Sequence, residues 1–157
     1  MLSEIYWIPQ AGEPALAIMA RPRSDDWLED EIAHWKDEGV GLVVSLLDYE
    51  EESDLGLQRE KALCERSGLK FLSFPISDRG VPDKDASRKL VHSIERAGLP
   101  TAVHCRAGIG RSSLIAVLIM MARGIDANEA LQAIAEARRL PVPDTEIQRQ
   151  WLLDYEW

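Results

Sequence analysis

The sequence predicts an α/β fold built on a mostly parallel central sheet of about five strands flanked by helices. Three observations carry this. Short apolar runs alternate with stretches of helical period along the chain. One of those stretches, about 111–123, is apolar on nearly every side, as a buried central helix must be. The 157 residues contain no repeat, low-complexity tract or linker, so one domain over 1–157 is expected.

Taken in order, the strand-like runs are EIYWI (4–8), ALAIMA (15–20), GLVVSLL (41–47), LKFLSF (69–74) and TAVHC (101–105). A short link rich in Gly and Pro joins the first two, which suits an antiparallel edge. The first helix is expected from about Asp26 to Glu38, with Asp26 and Glu29 as a capping box and Leu28, Ile32 and Trp35 on one face. Others are expected near 57–67 and over 84–97, the latter aligning Ala86, Leu90, Ile94 and Ala97. After the central helix, a fifth begins at Asp126 and turns Ala127, Ala130, Leu131 and Ile134 inward. The last starts near Thr145 and presents Ile147, Trp151 and Tyr155. Trp7, Trp27, Trp35 and Trp151 are read as core and edge packing.

Composition narrows the function classes. A net charge of −9 disfavours general affinity for nucleic acid or anionic lipid surfaces, though not a small positive pocket. The N-terminus lacks a basic segment followed by an apolar run, and LIAVLIMMA (114–122) is too short to span a bilayer. Cys64 and Cys105 make no disulfide framework, so a cytoplasmic protein is expected, a monomer by default. Cys64 reads as a small buried hydrophobe, with a redox partnership to Cys105 as the alternative. His34 and His92 offer no ligand spacing, so no metal and no cofactor are expected.

The informative stretch is VHCRAGIGRSS, residues 103–113. Cys105 ends a strand and Arg111 opens the buried helix, the place where ligands sit in such sheets. Between them, Arg106, Ala107, Gly108, Ile109 and Gly110 can curl until their N–H groups face one centre. Gly108 and Gly110 are expected to supply the backbone angles this needs. The helix N-terminus adds positive potential at that centre, so an anion belongs there. A field of that sign favours a thiolate over a thiol at a cysteine. Arg111 offers a planar fork for two phosphoryl oxygens, and Ser112 a donor to the sulfur as it leaves.

This string, His-Cys, five residues, Arg-Ser, resembles the signature loop of the cysteine-based protein tyrosine and dual-specificity phosphatases. The segments IMARPRSDDWLEDEI and GVGLVVSLLDYEEESDLGL resemble the kinase-associated-phosphatase branch. The resemblance implies a metal-independent phosphomonoesterase that acts on phosphotyrosine in proteins, with phosphoserine and phosphothreonine as further candidates. It also implies a phosphocysteine intermediate on Cys105 and an orienting role behind the loop for His104. FPISDRGVPD (74–83) resembles the family's acid loop, and Asp78, 27 residues before Cys105, is taken as the general acid. Asp83 is read as a helix N-cap and stays a competitor for that role; Asp48 is a weaker one, beside Glu50 to Glu52, which look like a solvated acidic run. ARRLPVPDTEIQRQW resembles the branch's late segment and maps a water-positioning role onto Gln148, where Thr145 and Gln148 also spell a capping box.

Three other readings share part of the pattern. GIGRSS approaches a dinucleotide fingerprint but lacks the third glycine. CRAGIGR resembles a sulfurtransferase loop of the rhodanese type with one extra residue, which enlarges the cradle toward phosphate. A phospho-reading module that binds without turnover would be expected to lack the Cys, the Arg or the acid.

Overall fold

The computed structural model describes residues 2–157. Five strands form one sheet in the order β1-β2-β5-β3-β4: β1 (Tyr6–Trp7), β2 (Leu16–Met19), β3 (Leu42–Ser45), β4 (Lys70–Ser73) and β5 (Thr101–His104). β1 pairs antiparallel with β2, as the short link between them requires, and all other pairings are parallel. The predicted strands are all present, each trimmed to the residues that pair.

Period-2 alternation divides the core into two layers. Leu16, Ile18, Leu42, Val44 and Val103 face one side; Ala17, Met19, Val43 and Ala102 face the other. The first side is covered by α4 (Lys84–Ala97), α5 (Arg111–Ala122), α6 (Ala127–Arg138) and α7 (Glu146–Leu153). The second is covered by α1 (Leu28–Asp37) and α3 (Glu60–Arg66). The central helix is as expected: residues 111–120 of α5 are all buried. Ala127, Ala130, Leu131 and Ile134 turn inward on α6, and Asp126 caps it by accepting from the Asn128 N–H.

Four expectations are corrected. Asp26 and Glu29 form no capping box, because Asp25–Trp27 is a 3-10 turn and α1 starts only at Leu28. Trp27 is therefore exposed, with Arg23 over its ring at 4.6 Å. α7 buries Gln148 and Leu152, whereas Ile147 points to solvent. The acidic run is solvated only in part: Asp48 caps an additional helix, α2 (Tyr49–Asp54), through a full capping box that buries Glu51, while Glu50 stays exposed.

The parallel arrangement brings the carboxyl ends of β2, β3, β4 and β5 to one edge. The segment that carries Asp78 and the loop that begins at Cys105 leave the sheet there, and Gln148 reaches them from α7.

Candidate active site

The loop from Cys105 to Gly110 is fixed from outside, carbonyl by carbonyl. The Arg106 carbonyl accepts from the Arg21 N–H at 3.2 Å. Arg138, the last residue of α6, donates from Nε to the Gly108 carbonyl at 2.9 Å and from Nη2 to the Ala107 carbonyl at 3.0 Å. The Ile109 carbonyl accepts from the Ser113 hydroxyl, and the Gly110 carbonyl from the Leu114 N–H. In a planar trans peptide the next N–H points away from the carbonyl. Tying these carbonyls outward therefore turns the following amides to the concave side. Among the described residues, no amide from Arg106 to Gly110 donates to a protein acceptor. Together with the N-terminus of α5 they make a concave set of free N–H groups whose polarity suits an anion.

The two glycines serve different ends. Gly108 has φ +71°, and a Cβ there would lie 2.6 Å from the Met19 carbonyl carbon. Gly110 does not need glycine for its angles, since its φ is −87°. It is small because the Asp144 Cβ and the Gln148 Oε1 would both stand 3.0 Å from an added Cβ.

Cys105 lies at the base, with Sγ 2.8 Å from the Ser112 hydroxyl. His104, wholly buried behind it, has acceptors at both ring nitrogens: Nε2 meets Glu60 Oε2 at 2.6 Å and Nδ1 the Cys105 carbonyl at 3.3 Å. Burial opposes the charge on this ring, but the Glu60 carboxylate outweighs it and holds the His104 pKa above its ordinary value. Cys64 sits in the apolar layer on the opposite face of the sheet from Cys105, a small buried hydrophobe whose thiol pKa burial pushes far up.

Arg111 is buried and held by a partner that sequence reasoning missed. Its Nη1 and Nη2 donate to Glu51 Oε1 and Oε2 at 2.6 and 2.9 Å, and Nη1 also donates to the Ile76 carbonyl at 2.9 Å. Burial would raise the Glu51 carboxyl; the Arg111 hydrogen bonds outweigh it and hold its pKa below the ordinary value. A guanidinium has five N–H donors. Three are spent here, leaving the Nε–H and one Nη2 hydrogen as a two-toothed edge. Asp78 Oδ1 approaches that Nη2 at 3.2 Å.

Asp78, Cys105, Arg106, Arg111, Asp144 and Gln148 line one cavity of about 220 Å³. The Gln148 side chain completes the capping box with Thr145 and donates to the Gly80 carbonyl at 3.1 Å, tying α7 to the loop that carries Asp78. Asp83 points elsewhere, accepting from the Ala86 N–H at the start of α4. Asp48 likewise accepts from the Glu51 N–H. A larger hollow of about 700 Å³, between β4, α3 and α4, holds none of these groups, so size alone does not pick out the site. Among the described residues no cluster of metal-ligating side chains occurs, and no helix is long and apolar enough to cross a membrane.

The geometry can be set beside known proteins. The chain is 29% identical over 85 residues to protein tyrosine phosphatase type IVA 2 of mouse and of rat, over 51% of its own length. It spans about half the length of these curated relatives, 51% of each. Kinase associated phosphatase, solved with its catalytic-site cysteine changed to serine, superposes with a TM-score of 0.87 at 19% identity, over 97% of this chain and 93% of that one. Tk-PTP in its active form superposes with a TM-score of 0.72 at 26% identity, over 95% and 92%. The sequence pattern of the family "Dual specificity phosphatase, catalytic domain" matches residues 55–157, from the end of α2 through the cysteine loop to α7. With that match over more than half its length, the chain belongs to the dual specificity phosphatase catalytic-domain family.

Proposed function

We propose that this protein is a metal-independent phosphatase that hydrolyses phosphotyrosine, and phosphoserine or phosphothreonine where the side chain reaches the cradle, through a phosphocysteine intermediate. The observation that carries the proposal is the convergence of Cys105, the free edge of Arg111 and Asp78 on one small cavity floored by unpaired amides. A nucleophile, a fork for phosphoryl oxygens and a proton source are the parts this chemistry needs.

In the first step the Cys105 thiolate attacks phosphorus while the bond to the leaving oxygen breaks. Arg111 and the amides of Ala107 to Gly110 hold the three equatorial oxygens as their charge is redistributed, an electrostatic contribution made before the reaction starts. Asp78, protonated, gives its proton to the leaving alkoxide or phenoxide. In the second step water attacks the phosphocysteine, Asp78 takes a proton from that water, and Ser112 donates to the departing sulfur, to which it already lies at 2.8 Å. Gln148 sides the cavity at Gly110 and is assigned the placement of the water. Proteins carrying phosphorylated side chains are the proposed substrates.

The test is turnover of a panel of phosphotyrosine, phosphoserine and phosphothreonine peptides beside a soluble phosphoinositide, by wild type and Cys105→Ser. Release of phosphate by wild type from a phosphopeptide, lost in Cys105→Ser with vanadate binding retained, supports the proposal. Equal turnover by both proteins overturns it.

A further inference from the structure

We propose that Arg138 is a positioning residue for the phosphate cradle, and that Tyr6 on the edge strand β1 holds it in place. On the reading of this loop as a phosphatase site, the N-terminal hairpin becomes part of the machinery that keeps the cradle formed without ligand.

An anion cradle is internally unstable when empty. Successive N–H groups directed at one point repel one another, and any peptide plane that flips would offer its carbonyl to the site instead. Something outside the loop has to hold the carbonyls out. For the 107–108 and 108–109 peptides that agent is Arg138, whose two bonds are 3.0 and 2.9 Å. These planes carry the Gly108 and Ile109 amides, at the middle of the loop, farthest from the strand and the helix that steady its ends. They also flank Gly108, the residue at φ +71° and the one freest to flip.

Arg138 is not itself anchored by a carboxylate among the described contacts. Its guanidinium lies over the Tyr6 ring, 4.2 Å from the centroid. Tyr6 pairs with Ile18 on β2, and α6 packs against β1, so the ring is a fixed platform. A cation on an aromatic face keeps its N–H groups in the guanidinium plane free to donate sideways, here to the two carbonyls. A carboxylate partner would compete for those same N–H groups. The chain of contact therefore runs from β1 through Tyr6 and Arg138 to the amides that would bind phosphate. Neither side chain lines the cavity, so neither acts on substrate directly.

The experiment uses the full chain and measures orthovanadate binding, kcat and KM for p-nitrophenyl phosphate, and melting temperature. Arg138→Met should weaken vanadate binding by roughly tenfold or more, because two charge-assisted bonds are lost. Arg138→Lys, which can serve one carbonyl at a time, should fall between it and wild type. Tyr6→Leu should weaken vanadate binding by roughly threefold, the worth of an exposed cation–π contact. Tyr6→Phe, which keeps the ring, should restore most of that. In the double variant Tyr6→Leu with Arg138→Met, the loss should equal that of Arg138→Met alone, since Tyr6 acts through the guanidinium. Vanadate affinity unchanged in Arg138→Met, whatever its melting temperature, overturns the proposal; so does simple addition of the two losses. A wild-type protein that binds no oxyanion refutes the phosphatase reading with it, whereas wild-type binding that Arg138→Met leaves intact refutes this inference alone.

Discussion

Glu51→Gln is the substitution whose outcome the structure fixes most tightly. It changes no shape and removes one charge. Wild-type Glu51 closes two bonds of 2.6 and 2.9 Å on a guanidinium that is only 2% exposed. The amide can accept one of them, but its NH2 then faces the second donor. Removing one partner of a buried ion pair typically costs about 3–5 kcal/mol. The amide still accepts one bond and Arg111 keeps the Ile76 carbonyl and Asp78, so although Arg106 also loses its ion pair with Glu51 at 3.8 Å, the cost falls at or just below the lower end of that range. We expect about 2–3 kcal/mol, shared between folding stability and the placement of Arg111. If all of it fell on the transition state, kcat/KM would drop by roughly 30- to 150-fold. The assay is kcat/KM with p-nitrophenyl phosphate together with thermal melts with and without vanadate. With Arg111 less well placed the variant binds the oxyanion more weakly, so the same vanadate concentration should raise the melting temperature of Glu51→Gln by less than that of wild type. Unchanged kcat/KM and an unchanged melt would refute the claim that Glu51 holds Arg111.

Three further outcomes follow from the same geometry. Asp78→Asn should slow an alkyl or unactivated phenyl phosphate by about two to four orders of magnitude and a nitrophenyl phosphate much less, whereas Asp83→Asn should change neither, since Asn caps a helix about as well as Asp and can still accept from the Ala86 N–H; the reverse pattern in steady-state rates would move the acid to Asp83. Gly108→Ala should abolish measurable vanadate binding with little change in circular dichroism, because its Cβ would meet the Met19 backbone at 2.6 Å and its φ is positive; normal vanadate affinity would show that the loop tolerates a different path. Stability should fall at both ends of the pH range. His104 binds its proton more tightly folded than unfolded, so its contribution is complete below about pH 6.5 and is lost as pH rises through the raised folded value. Glu51, with its folded pKa lowered, contributes above the ordinary carboxylate range and is lost as pH falls through that lowered value. Urea denaturation of Glu60→Gln across the alkaline limb should show a flatter slope than wild type; an unaltered slope would mean that Glu60 does not hold the His104 proton.

Local patterns were legible in the sequence, and contacts between distant segments were not. The cysteine loop could be read because its strand, its helix start and its chemistry are contiguous. The central helix could be read because a helix apolar all round has nowhere to be but inside. Gln148 was named, and its cap with Thr145 is real, yet the period placed Ile147 inward; the contact with Gly110 decides which face of α7 is buried. Glu51 was overlooked because three successive glutamates look solvated. The pattern Asp48-x-x-Glu51 is nonetheless a capping-box signature, and it would have given both α2 and the inward turn of Glu51. No local signal links Glu60 to His104, 44 residues away, or Arg138 to Gly108, 30 residues away. Those pairs exist only because the sheet order brings β5, α3 and α6 together.

A phosphoryl group that resides on Cys105 during turnover can be caught by rapid quench followed by peptide mass spectrometry. Wild-type protein mixed with a phosphotyrosine peptide and quenched within milliseconds should yield the Cys105 peptide carrying one phosphoryl group. Gln148→Ala should accumulate more of it if Gln148 places the hydrolytic water, and Cys105→Ser should yield none. Phosphate release at the full rate with an unmodified Cys105 peptide at every quench time, or thiosulfate leaving a persulfide sulfur on that residue, would rule out a phosphocysteine intermediate.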